Sequence, residues 1–469
     1  MKKIIYILAL VLCTTGCFEL YNDMLTDVTS RELSSWFTFL GGSGYDRGKG
    51  IIQTADDGYI VCGVADDVNP AEWPDAPLNN PGGNLDILLS KYSYNGKLLW
   101  YTFMGGNGDE GSTSLPKSVS IEKAPDGGFL VATNSTSGDL WSSTPINEHT
   151  GSGSEAVLCK FSSSGKYQWH TFSTNAQSYN DIIIKKDGTI AVFGTNSTSN
   201  NEFAINSYKS DGTYIGTSIL GSSNQDTACS AIITSDGEFI LSGISYGSDW
   251  PASSTQIIPY KGSGDGIVVK CASDGTPEWH SFIGGSDTEL CRDIIAIPNS
   301  KGYVITGYTD NGSDWESTVW GTPRNPCLSG RNVFVASIDI NGNALWHTFF
   351  SVGYGRAIDR SKNGNYYIAG WGVPGTTNFP KEPLQPKNNS DDLFVICIDS
   401  QGRYLWHTFL GGDDLEHMDD MIVNKYDQCV MTTGSSDSAG WITNPIRDVY
   451  GNSNYDQVII QLDIDGILR

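Results

Sequence analysis

Ten polar residues interrupt an otherwise repetitive chain and are the first candidates for chemistry: Arg47, Lys49, Asp109, Glu110, Glu289, Arg292, Arg356, Asp414, Glu416 and His417. Each stands near the start of an apolar run, where a ring of inner strands would bring them all to one rim. Acidic side chains outnumber basic ones among them, so the expected rim is mixed and mainly acidic. Such a rim could form a binding site. Sugar hydrolysis would need two carboxyls facing one bond, which the adjacency of Asp419 and Asp420 does not supply. No nucleophile elbow, phosphate loop, metal-protease helix or dinucleotide fingerprint occurs. No catalytic residue is assigned.

Other suggestive residues recur with the repeat. His170, His280, His347 and His407 each follow a tryptophan, and Phe37 and Tyr101 fill the same place after Trp36 and Trp100. A position that accepts any flat ring is a packing slot. Asp46, Asp109, Asp226, Asp287 and Asp414 follow glycine or small-residue pairs, where a short carboxylate holds its own backbone in a turn. Calcium is the alternative ligand for such carboxylates, but no stretch has the spacing of a helical calcium loop. No metal and no cofactor are expected, with calcium the one alternative.

These residues belong to a phrase that recurs seven times, beginning at Trp36, Trp100, Trp169, Ile215, Trp279, Trp346 and Trp406, 46 to 69 residues apart. The phrase runs from an aromatic strand through a glycine pair and an apolar run to an Asx-Gly turn and a second apolar run. A repeat of this length means stacked units, none of which buries its apolar face alone. Residues 292–298, 303–307, 332–338 and 345–350 read as four strands of one unit, with Asn341-Gly342 as a hairpin turn. The expected fold is all-β: a seven-bladed β-propeller with four antiparallel strands per blade. The chain opens on a fourth strand, residues 36–40, and closes on a third, residues 457–462. The N-terminal strand is therefore expected to join the last blade and close the ring, leaving no free sheet edge.

Residues 1–16 read as a lipoprotein signal, with Lys2 and Lys3 before an apolar run and Thr14-Thr15-Gly16 before Cys17. Cys17 would carry the lipid, residues 17–32 would be a tether, and residues 33–469 the propeller. The membrane is thus an expected partner, through an anchor and not a span. Export to the cell envelope follows, with the outer membrane or cell surface expected over the inner membrane. The net charge of −24 excludes nucleic acid, which requires a basic face. Eight further cysteines make an even set, but most sit inside apolar strand runs, such as Cys62 and Cys397, and are expected to be free thiols.

The Leu-Gly-Gly-x-x-x-Asp of residues 40–46, the Asp-Gly hairpins, strand-ending glycines such as Gly63 and Gly307, and the loop aromatics Trp73, Trp141, Trp250, Trp315, Phe379 and Trp441 together resemble the bacterial β-propeller repeat family called SBBP. Blade three departs from it: it lacks the loop aromatic and has Ile215-Gly216 in place of the aromatic pair. The resemblance implies an exported or envelope-attached protein and carries over no catalytic residue. The expected function is non-catalytic binding or scaffolding of a protein or glycan partner, with recognition in the loops around Trp73, Trp141, Trp250 and Trp320. The alternative is a carbohydrate-active hydrolase or lyase at the channel mouth. The bland counterpart for the loop tryptophans is packing between blades.

Overall fold

The computed structural model describes residues 34–468 except 67, 68, 70, 71, 114–117, 140, 151, 152, 174, 197–200, 300, 313, 316, 317, 373–377, 388–390, 414, 415, 436–440, 442 and 449–454. Cys17, the signal and the tether lie outside the described residues, as does Asp414.

Four-stranded antiparallel sheets follow one another along the chain. From the axis outward, blade one takes Asp46–Gln53, Tyr59–Asp66, Leu85–Tyr92 and Leu98–Met104. Blade two takes Ser120–Lys123, Phe129–Ser135, Glu155–Phe161 and Tyr167–Phe172, and blade three Ala176–Ile184, Ile190–Asn196, Phe203–Tyr208 and Tyr214–Leu220. Blade four takes Asp226–Ile233, Phe239–Ser245, Asp265–Cys271 and Pro277–Ile283, with the short Thr255–Ile258 added parallel to its outer strand. Blade five takes Glu289–Ile297, Gly302–Thr309, Asn332–Ile338 and Ala344–Phe350, and blade six Gly353–Arg360, Tyr366–Gly372, Asp392–Ile398 and Tyr404–Leu410. Blade seven has His417–Val423, Cys429–Ser435 and Asp456–Gln461, and its fourth strand is Trp36–Leu40. The pairing runs from Trp36 opposite Gln461 to Leu40 opposite Gln457, so the two ends of the chain close the ring. The architecture is the expected seven-bladed propeller.

Continuous apolar strands suit this position because both faces of each sheet are covered by a neighbouring blade. Every residue of Asn332–Ile338 is buried. The core accordingly lies between blades: Val304, Val333 and Val335 of blade five pack with Ile358, Ile368, Phe394 and Ile396 of blade six. The outer hairpins turn on glycines with positive φ, from 76° at Gly96 to 88° at Gly275. In the inner hairpin of blade one that role falls to Asp57, at 67°, and not to Gly58. Gly58 is small for another reason, since a Cβ there would lie 2.3 Å from the Tyr92 carbonyl oxygen. The eight described cysteines are unbonded, and all but Cys327 are buried.

Candidate functional site at the channel mouth

Three of the acidic candidates turn away from the channel. Glu110 accepts hydrogen bonds from the Gly106 N–H at 3.1 Å and the Ser135 hydroxyl at 2.6 Å. Glu289 likewise takes the Gly285 N–H at 3.1 Å and the Thr309 hydroxyl at 2.7 Å, and Glu416 takes the Gly412 N–H at 3.2 Å. Asp46 and Asp226 do the same for the Gly42 and Ser222 N–H groups. All five are fully buried. The turn-holding carboxylate of the repeat is therefore Asp in two blades and Glu in three, while the exposed Asp109 and the half-buried Asp287 stand just before it. Each turn glycine is squeezed by two acids, since a Cβ on Gly105 would lie 1.9 Å from Glu110 Oε2 and 2.3 Å from Asp86 Oδ1. Burial pushes the Glu110 and Glu289 carboxyls up to about 8. The rim is not mainly acidic, because these carboxylates are structural.

The basic candidates stay at the channel, and β-bulges put them there. Six inner strands carry a bulge at a corresponding place, and the extra residue is Lys49, Asn180, Cys229, Arg292, Arg356 or Asp419. A bulge opposes two residues to one and re-aims a side chain. The turn carboxylates repeat in type, but this position does not. Blades five, six, seven and one are consecutive around the ring, so Arg292, Arg356, Asp419 and Lys49 follow one another, joined by Arg47. The Arg47 guanidinium binds the Asp419 carboxylate through Nε and donates to the Tyr45 hydroxyl at 3.1 Å. Lys49 Nζ lies 3.6 Å from the other Asp419 oxygen, and Arg47, Lys49 and Asp419 are all buried. Burial, with added repulsion from Arg47 and Arg356, lowers the Lys49 amine to about 8 against the pull of Asp419. Burial and then Arg292 bring Arg356 down to about 9. Nε and Nη1 of Arg356 and Nε of Arg292 are buried and meet no acceptor among the described residues.

Beside these cations runs an arc of rings across the same four blades. Centroid distances are 5.1 Å from Tyr45 to Tyr455, 6.4 Å from Tyr455 to His417 and 4.7 Å from His417 to Trp371. The arc continues with Trp371 stacked on Tyr354 at 4.2 Å and Tyr354 edge-on to Tyr308 at 5.0 Å. All six rings are half-buried, neither fully covered nor fully exposed. The Arg331 guanidinium sits 4.4 Å from the Tyr354 centroid and 5.3 Å from that of Tyr308, held by Asp310. His417 is the one candidate histidine in the arc, and burial followed by Arg47 lowers its imidazole to about 4.

Below the cations the channel holds a cavity of about 490 Å³ lined by all seven inner strands. Four of its carboxylates link neighbouring blades. Asp420 accepts the Ile51 N–H at 3.0 Å, Asp359 the Val423 N–H at 2.7 Å, Asp293 the Ile358 N–H at 2.9 Å and Asp181 the Ala231 N–H at 2.9 Å. An innermost strand has no partner on its channel side, and these side chains satisfy backbone donors that would otherwise be orphaned. Asp419 and Asp420 therefore diverge, one to cations and one to the next blade. The staples escaped the sequence reading. Their signal was a polar residue set among the isoleucines of an inner strand.

The loop aromatics are packing residues. Trp73 stacks on Tyr101 at 5.2 Å, Trp141 on His170 at 4.4 Å, Phe379 on His407 at 3.6 Å and Trp441 on Phe37 at 4.5 Å. Trp73, Trp141, Trp250, Trp315, Trp320 and Trp441 are buried, so they offer no recognition surface. Blade three lost the loop aromatic and its ring slot together. Among the described residues no three His, Cys, Asp or Glu side chains converge as a metal would need.

Comparison with protein families and with curated proteins finds no match. Solved structures do resemble the chain. One titled as the structure of U3-55K is 11% identical with a TM-score of 0.49, covering 91% of this chain and 98% of its own. A Penicillium chrysogenum α-L-arabinanase complexed with arabinobiose is 9% identical with a TM-score of 0.40, covering 93% and 99%. A Bacteroides caccae protein of unknown function is 12% identical with a TM-score of 0.28, covering 80% and 94%. The assignment of the chain as a β-propeller rests on its own strand pairing.

Proposed function

We propose that this protein is a lipid-anchored β-propeller of the bacterial cell envelope, of the SBBP type, that binds a glycan without cleaving it. The arc Tyr45, Tyr455, His417, Trp371, Tyr354 and Tyr308 carries the reading. These rings are half-buried and span four consecutive blades, whereas the loop tryptophans that recur with the repeat are packed away. Sugar rings present apolar faces that lie on aromatic side chains, with polar groups nearby to fix orientation. Non-catalytic binding is favoured over hydrolysis because Asp181, Asp293, Asp359 and Asp420 are engaged with backbone N–H groups and Asp419 with cations, which leaves Glu122 among the cavity-lining carboxylates where hydrolysis would need two. The full chain should retain oligosaccharides on a glycan array, and Trp371→Ala with Tyr354→Ala should lose them while the melting temperature holds. Binding that survives the double variant would remove the arc from recognition, and release of reducing sugar would favour the hydrolase reading instead. Anchoring is tested separately: labelled palmitate should enter the wild-type chain and not Cys17→Ala, and equal labelling would sink the lipid assignment.

A further inference from the structure

Four cations, Arg47, Lys49, Arg292 and Arg356, converge where the inner strands of blades one, five and six bulge or begin, and Asp419 is the carboxylate set among them. In a chain with a net charge of −24 such a concentration of positive charge is out of character. Asp419 is occupied by Arg47 and Lys49. Arg356 is left with Nε and Nη1 buried and no acceptor among the described residues, and Arg292 with Nε in the same condition. Burying a guanidinium without a partner is costly, and a protein tolerates it where a ligand completes the pairing. A guanidinium fork also matches the oxygens of a planar or tetrahedral anion.

We propose that Arg356 and Arg292, supported by Arg47 and Lys49, form an anion seat that takes the acidic group of a charged sugar whose ring lies on Trp371 and Tyr354. This rests on the glycan reading above and names its substrate class: an acidic glycan, carrying carboxylate or sulfate ester. Tyr354 ties the two halves together, being stacked on Trp371 at 4.2 Å while the Arg356 guanidinium lies 5.7 Å from its centroid. Asp420, Asp359 and Asp293 do not compete for the seat, since each holds a backbone N–H of the next blade.

Calorimetry on the full chain at low ionic strength tests this with four probes: a uronate oligosaccharide, a sulfated oligosaccharide, a neutral oligosaccharide of equal length, and inorganic sulfate. Arg356→Gln should weaken the acidic oligosaccharides about tenfold or more, as loss of a charge-assisted pair does, and leave the neutral one unchanged. Arg356→Lys keeps the charge but not the fork and should fall between. Preference for uronate would identify a carboxylate, and preference for the sulfated chain a sulfate ester; either supports the seat. Equal binding of neutral and acidic chains, unmoved by Arg356→Gln, would overturn the seat while the aromatic arc stands. Arg356-dependent binding of sulfate with no oligosaccharide bound would keep the seat and overturn the glycan reading. Should the variants misfold, calorimetric titration of the wild-type chain with inorganic sulfate at millimolar concentration, where general salting-out is negligible, decides: saturable binding supports the seat, and no heat beyond dilution counts against it.

Discussion

His170 shows how a reactive-looking residue is made inert. Trp141 lies parallel to it at 4.4 Å, Phe172 meets it edge-on at 5.4 Å, and burial lowers its imidazole to about 4, so the ring is neutral at physiological pH. Blade one holds Tyr101 in the equivalent place under Trp73, which is why a flat ring was the legible requirement. Trp141→Ala should cost about 3–5 kcal/mol, the range for emptying a buried tryptophan site, read as a fall in the urea midpoint. His170→Tyr, copying blade one, should cost far less. Equal losses would mean that the slot needs imidazole and not merely a ring. The glutamates were harder to read. Glu110, Glu289 and Glu416 stand at the same offset from the turn N–H as Asp46 and Asp226, but Asp109, Asp287 and Asp414 just before them drew the turn-holding role to the wrong carboxylate.

At the scale of the strand, continuous apolar runs and turn glycines located the blades closely. Asn332–Ile338 was legible residue for residue, because its run is mainly apolar and a two-residue turn follows its end. Inner strands were less legible. The run beginning at Arg292 in sequence belongs to a strand that starts at Glu289, because the bulge there interrupts the alternation. A bulge has no compositional signature, and its extra residue can be lysine, asparagine, cysteine, arginine or aspartate. Sequence therefore found Arg47, Arg292 and Arg356 as solitary cations but could not show that bulged strands gather them. Nor could it show that Asp181, Asp293, Asp359 and Asp420 bridge blades, since each partner is a backbone N–H in the next repeat.

The whole molecule combines two opposing proton equilibria. Unfolded glutamate ionises near 4.5, while Glu110 and Glu289 keep their protons up to about 8 in the fold. Between those values the native state binds more protons, so stability falls as pH rises, by up to about 1.4 kcal/mol per pH unit for each fully titrating group. The buried imidazoles His170, His280, His347 and His407 work the other way, lowered from 6.5 to about 4, and lose stability only as pH falls below 6.5. The melting temperature should therefore decline from pH 6.5 to about 8.5, and Glu110→Gln with Glu289→Gln should flatten that decline. A wild-type profile level across this range would contradict the burial of neutral carboxyls. One feature of the ring has a meaning in time as well as in space. Among the described strands Trp36–Leu40 is synthesised first, but the strand it pairs with, Asp456–Gln461, is synthesised last. Through nearly the whole of synthesis Trp-Phe-Thr-Phe-Leu has no native partner, an apolar β-prone segment kept waiting. The strand pairing that completes the circle is also the longest in sequence among the described strands, so the ring can shut only after every blade between has been made.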